Sequence, residues 1–286
     1  MDARTTGTIL DKIVADRRVR LAEDRARRPE ATLRSVIEKA SPAIDFAARL
    51  RHGRRATPAG ARLRLIGEVK RASPSKGVFD ANLDAVAQAR AYADAGVAAI
   101  SVLTEPDHFK GALADLEAVR AAVGDDLDRP ALLRKDFIFD PYQVVEARAA
   151  GADALLLIVM MLEPPALASL LAQTHALGMQ ALVEVHDEAE MRTALAAGAT
   201  VLGVNNRDLR TFAEDLGTTE RVAALVPEGV TLVAESAIRQ AADARRMAAC
   251  GAHALLVGEA LVTTGDIAAK ARELMLVDDS QSEVRA

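Results

Sequence analysis

Cys250 is the only cysteine in 286 residues, so no disulfide can form within the chain and a reducing, cytoplasmic setting is expected. The five histidines are scattered and fall into no metal-ligand spacing, so no metal is expected. No apolar run is long enough to cross a bilayer: the longest, Ala154 to Leu162, suits a buried strand. The N-terminal stretch carries Asp2, Asp11 and Asp16 and has no apolar centre, which argues against a signal or transit peptide. A Gly-x-Gly-x-x-Gly turn after the first predicted strand is also missing, which disfavours a dinucleotide fold. The net charge of −5 lacks the excess of Lys and Arg that nucleic-acid binding calls for.

What the chain does have is a half-hydrophobic composition and enough length for either two domains or one α/β barrel. Its charge is uneven, with 16 Lys/Arg against 8 Asp/Glu in residues 1–64, so a balance of +8 stands against −13 over the remainder. Thr8 to Arg27 places Ile9, Leu10, Ile13, Val14 and Leu21 at helical spacing, and Pro29 ends that pattern. Two shorter helical patterns follow, one with Leu33, Val36 and Ile37, the other with Ile44, Phe46, Ala47 and Leu50. Residues 1–60 are therefore expected to form a helical extension packed on the main body, with the body over 61–274 and a disordered tail over 275–286.

From Leu65 onward one unit recurs: an Ala-rich helical stretch, then Gly with small residues, then a short apolar strand. Gly96, Gly151, Gly178, Gly198 and Gly251 mark five copies, each where a helix calls for a left-handed C-terminal residue. With strands at Leu65 to Lys70, Ala131 to Lys135 and Thr231 to Glu235 the count reaches eight. Alternating strands and helices imply parallel pairing through right-handed crossovers, and eight units point to an α/β fold, a (β/α)8 TIM barrel with an N-terminal helical extension.

In such a barrel the chemistry belongs at the C-terminal strand ends. Glu68 and Lys70, two residues apart and so on one face, end the first strand. Lys135 ends the third, Glu184 the fifth, Asn205 the sixth with Arg207 just beyond, and Glu235 the seventh with Ser236 after it. These charges would meet in one basin, and charges are seldom buried unless paired or used. A salt-bridge network that merely closes the barrel also fits that list. A phosphate site is suggested by the small-residue loops Ser236-Ala237 and Gly258-Glu259, with Ser73 contributing a hydroxyl from the first loop. Ordinary helix capping by Ser236 and Gly258 is the alternative there.

Glu68-Val69-Lys70-Arg71-Ala72-Ser73-Pro74-Ser75, Ser101-Val102-Leu103-Thr104-Glu105, Leu132-Leu133-Arg134-Lys135-Asp136-Phe137-Ile138, Glu184-Val185-His186-Asp187, Gly203-Val204-Asn205-Asn206-Arg207-Asp208-Leu209 and Val233-Ala234-Glu235-Ser236 resemble the successive signatures of the indole-3-glycerol phosphate synthase family. They come in the family's order and span about residues 8 to 270. The resemblance implies ring closure, decarboxylation and dehydration of 1-(2-carboxyphenylamino)-1-deoxyribulose 5-phosphate in tryptophan biosynthesis, without a cofactor. It further implies Lys135 as general acid, Glu184 as general base, Lys70 as the partner of the substrate carboxylate, and Glu68 and Asn205 as supporting groups. By the same resemblance Arg207, Ser73, Glu235, Ser236, Ala237, Gly258 and Glu259 bind or border the phosphorylated substrate, and Phe109 and Phe137 form the wall for its aryl ring. Other enzymes of the tryptophan pathway are candidate partners; nucleic acid and membrane are not.

Three further expectations belong here. The lysine acid should have a pKa lowered by cationic neighbours and partial burial. His186, two residues beyond Glu184, should carry no proton-transfer step, since the lysines and glutamates cover them. Ala237 stands where the family has Gly, which would strain a positive φ, and Ala112 where it has Ser, which weakens the capping of that loop. A lysine forming a Schiff base, and a barrel that binds a sugar phosphate without turning it over, stay open as alternatives.

Overall fold

A computed structural model describes residues 3–277. Eight parallel strands close into a barrel: β1 (Arg64–Val69), β2 (Ala99–Leu103), β3 (Ala131–Lys135), β4 (Ala154–Ile158), β5 (Gln180–Val185), β6 (Val201–Asn205), β7 (Thr231–Glu235) and β8 (Ala254–Val257). β1 pairs with β8 as well as with β2, so the sheet has no free edge. All eight strands are buried along nearly their whole length, as parallel strands covered by helices must be. The five repeat glycines all take positive φ, between 77° and 90°, ending the helix ahead of each strand. At Gly96 no side chain would fit, because a Cβ would collide with the backbone of Ala56.

The expected N-terminal extension is present and reaches both ends of the barrel. Helix α1 (Ile9–Arg27) starts at Thr8, whose hydroxyl accepts the Leu10 N–H, and buries Leu10, Ile13, Val14 and Leu21. Helix α2 (Glu30–Ile37) packs on the helix Pro141–Ala149 that follows β3. Only Leu33 of its apolar residues is buried, and Val36, expected on the inner face, is 44% exposed. A helix of two turns lying on another helix covers a single stripe, and Val36 falls outside it. Helix α3 (Phe46–His52), capped by Asp45, lies under the N-terminal strand ends. There the Ile44 N–H donates to Asp153 and the Ala47 N–H to Gln180, and Phe46 and Leu50 are fully buried.

The chain closes on itself in a seam just ahead of β1, where the Arg62 and Leu63 N–H groups donate to the Met275 carbonyl at 3.0 and 3.2 Å. Met275 is fully buried, and of the tail expected over 275–286 residues 278–286 lie outside the described residues. Among the described residues no helix is long and apolar enough to cross a membrane.

Candidate active site

Lys135 stands at the centre of the C-terminal mouth, its Nζ 3.3 Å from Glu235 Oε2, 3.7 Å from Glu184 Oε2 and 3.8 Å from Glu68 Oε1. These four side chains come from β3, β7, β5 and β1, so only closure of the barrel brings them together. Lys70, just beyond β1, holds the other oxygen of Glu68 at 2.5 Å. The Asn205 amide donates to Glu184 Oε1 at 3.1 Å. Glu68, Glu184 and Glu235 are at most 4% exposed, so their charges are held by these partners and not by water.

The electrostatics differ from the sequence expectation for Lys135. Burial would lower its pKa, but Glu235, Glu184 and Glu68 outweigh burial and hold it above the usual lysine range. The expectation failed because the near neighbours are carboxylates from distant strands and not cations. Burial would raise Glu184, yet Lys135, His186 and Asn205 draw it down to about 2. Glu68 is likewise lowered, with Lys70 and Lys135 overcoming burial. Glu235 goes the other way: burial, joined by repulsion from Glu184 and Glu68, pushes it up to about 7 against the pull of Lys135.

That last shift has a measurable effect on stability. A carboxyl whose folded pKa is raised contributes its stabilisation below the unfolded value of 4.5 and loses it as pH climbs through about 7. Glu235→Gln cannot titrate, so it is expected to remove a fall of up to about 3 kcal/mol in unfolding free energy across that window. Denaturant titrations of the ligand-free protein at a series of pH values read this directly. An identical decline in the variant would contradict it.

Two glycines make room for this cluster. A Cβ at Gly203 would overlap Glu235 Oε1, and one at Gly258 would lie 2.5 Å from Glu68 Oε2 and 3.0 Å from Lys70 Nζ. Gly203→Ala is therefore expected to turn the Glu235 carboxylate away from Lys135. The overpacking should cost about 1–3 kcal/mol in stability and lower turnover at least about tenfold. A thermal melt and a turnover assay on the same preparation check both parts.

The loops beyond the strands build two flanks. On one, Phe109 and Phe137 lie with ring centroids 5.8 Å apart, tilted by 39°. Fully buried Glu105 shapes the loop that carries Phe109, accepting the N–H groups of Asp107, His108 and Phe109 at 2.7–2.9 Å. Ala112 opens the next helix with no side-chain cap, as its departure from the Ser pattern foretold. On the other flank Ser236 and Ala237 both take left-handed φ, 64° and 63°. Ser73 lies beside them in the cavity lining, with Gly258 and Glu259. The Glu259 carboxylate is bound by Lys76 at 2.6 Å. Arg207 donates to Ser75 Oγ at 2.8 Å and is paired with Glu214, which also holds Arg239.

The strain at residue 237 is real, since a Cβ in the left-handed region costs roughly 1 kcal/mol. Ala237→Gly is expected to raise stability by about that amount and to leave turnover within about twofold, because the substitution keeps the backbone N–H at 237. A loss of stability would show that the Ala methyl makes contacts worth more than the strain.

All fourteen predicted site residues line or border one cavity, Glu68, Lys70, Lys135, Glu184, Asn205 and Glu235 at its floor. Sequence reasoning missed Ile9, Leu10 and Ile13, with which α1 roofs the cavity, and Leu209, Phe212 and Arg239 at its rim. The α1 stripe gave no warning, since apolar residues that pack on a barrel and those that cover a ligand site look alike. Phe212 did leave a trace, being an aromatic in a polar loop of a chain with six Phe, and it sits in the left-handed region at φ 60°.

The family model described as indole-3-glycerol phosphate synthase matches residues 10–274. The indole-3-glycerol phosphate synthase of Roseiflexus sp. (strain RS-1) is 53% identical over 270 residues, covering 93% of this chain and 98% of that protein. A multifunctional tryptophan biosynthesis protein of Schizosaccharomyces pombe is 46% identical over 283 residues, 97% of this chain and 36% of its own length. Among solved structures, a 3-hexulose-6-phosphate synthase superposes with a TM-score of 0.58 at 18% identity over 75% of this chain and 99% of that one, a likeness of fold alone. With signatures, barrel and matched length in agreement, the chain belongs to the indole-3-glycerol phosphate synthase family.

Proposed function

We propose that the family's reaction runs in this cavity with Lys135 as general acid and Glu184 as general base. The chain is an enzyme of tryptophan biosynthesis, a carboxy-lyase acting on a phosphorylated small molecule. The observation that carries the assignment of roles is the Lys135 ammonium, held protonated among three buried carboxylates at the strand ends.

In ring closure an aryl carbon attacks the substrate's ketone, and the carbonyl oxygen must gain a proton as the bond forms. Lys135 supplies it. Loss of carbon dioxide then returns electrons to the ring iminium, so the substrate is its own electron sink. Dehydration needs the new hydroxyl to leave with a proton and the last ring proton to be taken up, and Glu184, kept ionised, takes that proton. Lys70 holds the carboxylate before it departs, while Phe109, Phe137 and the α1 residues wall the aryl ring. Ser236 and Ala237, both at left-handed φ in the loop after β7, offer backbone N–H donors for a phosphate, with Gly258, Glu259 N–H, Ser73 and Arg207 around it.

An amine that attacks a carbonyl to form a Schiff base must be unprotonated, and Lys135 is held in the opposite state. The enzyme's place is the cytoplasm, in line with its single free cysteine. Other enzymes of the pathway are its candidate partners, a reading supported by the multifunctional relative. The test is to incubate the protein with 1-(2-carboxyphenylamino)-1-deoxyribulose 5-phosphate and follow indole fluorescence, which the absence of Trp leaves nearly free of background. Tight binding with no fluorescent product over hours would overturn the reading, as would a borohydride-trapped adduct on Lys135.

A further inference from the structure

His186 lies two residues beyond Glu184 and therefore points to the same side of the chain. It occupies the turn into the helix Glu188–Ala196, whose N-cap Asp187 accepts the Glu190 N–H at 2.9 Å. That bond fixes Glu190 beneath the ring. Glu190 Oε2 accepts the His186 backbone N–H at 2.9 Å and sits 3.0 Å from Nδ1 of the imidazole. The opposite ring nitrogen, Nε2, is buried, has no hydrogen-bond partner, and faces Glu184 Oε1 at 3.4 Å.

This geometry decides the charge of the ring. A neutral imidazole carries one N–H and one lone pair, and either tautomer would set the lone pair against a carboxylate oxygen. Only the imidazolium offers an N–H to both. Other charges around it are already engaged: Arg192 with Glu188 at 2.9 Å and Arg221 with Asp215 at 3.0 Å, both bordering the shallow cleft beside His186. On the inner side Glu184 is shared with Asn205 and Lys135, and behind Lys135 stand Glu68 and Glu235.

We propose that His186 is a positioning residue for the family's reaction: clamped by Glu190, its imidazolium pins the Oε1 side of Glu184 from behind and keeps that carboxylate charged and aimed at the substrate. The proposal rests on the reading of Glu184 as the base. Burial alone would lower the His186 pKa, and Glu184 and Glu190 together lift it to about 10, which agrees with the geometry. His186 does not itself line the cavity, whereas Glu184 does, so the histidine acts through Glu184.

Two measurements test it on the full chain. Imidazole 15N resonances of ring-labelled wild-type protein should show both His186 nitrogens protonated from pH 6 to 8, and a neutral ring at pH 7 overturns the proposal whatever the enzyme's activity. His186→Gln should move the acid limb of kcat/KM upward by at least about one pH unit, with kcat recovering at higher pH and KM within about twofold. Glu190→Gln should move the limb in the same direction by less, and adding it to His186→Gln should change nothing further. An unmoved limb in both variants, with folding intact, overturns the proposal. Absence of turnover in wild type would instead overturn the reading of the reaction, and the 15N result would still decide the charge of the ring.

Discussion

Lys135→Met is expected to lower kcat by about 10²- to 10⁴-fold, the usual worth of a general acid, while KM changes little. The methionine keeps the volume of the side chain but removes the proton and the charge that three carboxylates surround. Those carboxylates will then repel one another, so part of the loss in stability is recovered only by proton uptake at Glu235, already poised at about 7. The variant should accordingly be least stable at alkaline pH. The pH profile of the wild type carries the complementary signature. Because Lys135 titrates above the ordinary lysine value of 10.5, kcat/KM should show no alkaline limb from this group below that pH. Near-wild-type turnover of Lys135→Met, or an alkaline limb near neutrality that the variant abolishes, would reassign the acid.

Lys70→Met should act differently, raising KM by about 10- to 100-fold. A charge-assisted bond to a carboxylate is worth about 1.5–3 kcal/mol, and the one proposed for Lys70 is to a group bound in the ground state and lost in the reaction. Lys70 is bound to Glu68 at 2.5 Å and lies 5.6 Å from the Phe79 ring centroid, so a substrate carboxylate has to share it. A substrate analogue lacking the carboxyl group offers the control: its affinity should be indifferent to Lys70→Met. If Lys70→Met instead abolishes turnover with unchanged KM, the two lysines have exchanged roles.

The barrel was legible because each of its units is written locally. Small residues after a glycine, then four or five apolar residues, mark a strand wherever they recur, and the polar residue that ends it points into the mouth by parity alone. Lys135, Glu184 and Glu235 could be placed in one basin on that basis. Their protonation could not, since it depends on which strands become neighbours across the closed ring and on how closely the side chains approach. Gly203 and Gly258 illustrate the same limit. Their role is to leave space for Glu235 and Glu68, which arrive from other strands, and no local pattern shows which distant side chain a glycine must make room for. The α1 residues over the cavity were predicted as a helical face and nothing more, for the apolar pattern specifies burial but not what is buried against it.

The seam between Arg62, Leu63 and the Met275 carbonyl sets the two ends of the barrel side by side. A short linker there would make the barrel covalently circular, and the ring could be reopened at Gly178 or Gly198, in turns between helix and strand far from the mouth. In such a permuted chain the extension would no longer be joined to the barrel by a peptide bond. It would become a separable polypeptide that roofs the mouth with α1 and seats α3 beneath the floor, to be supplied or withheld like a subunit.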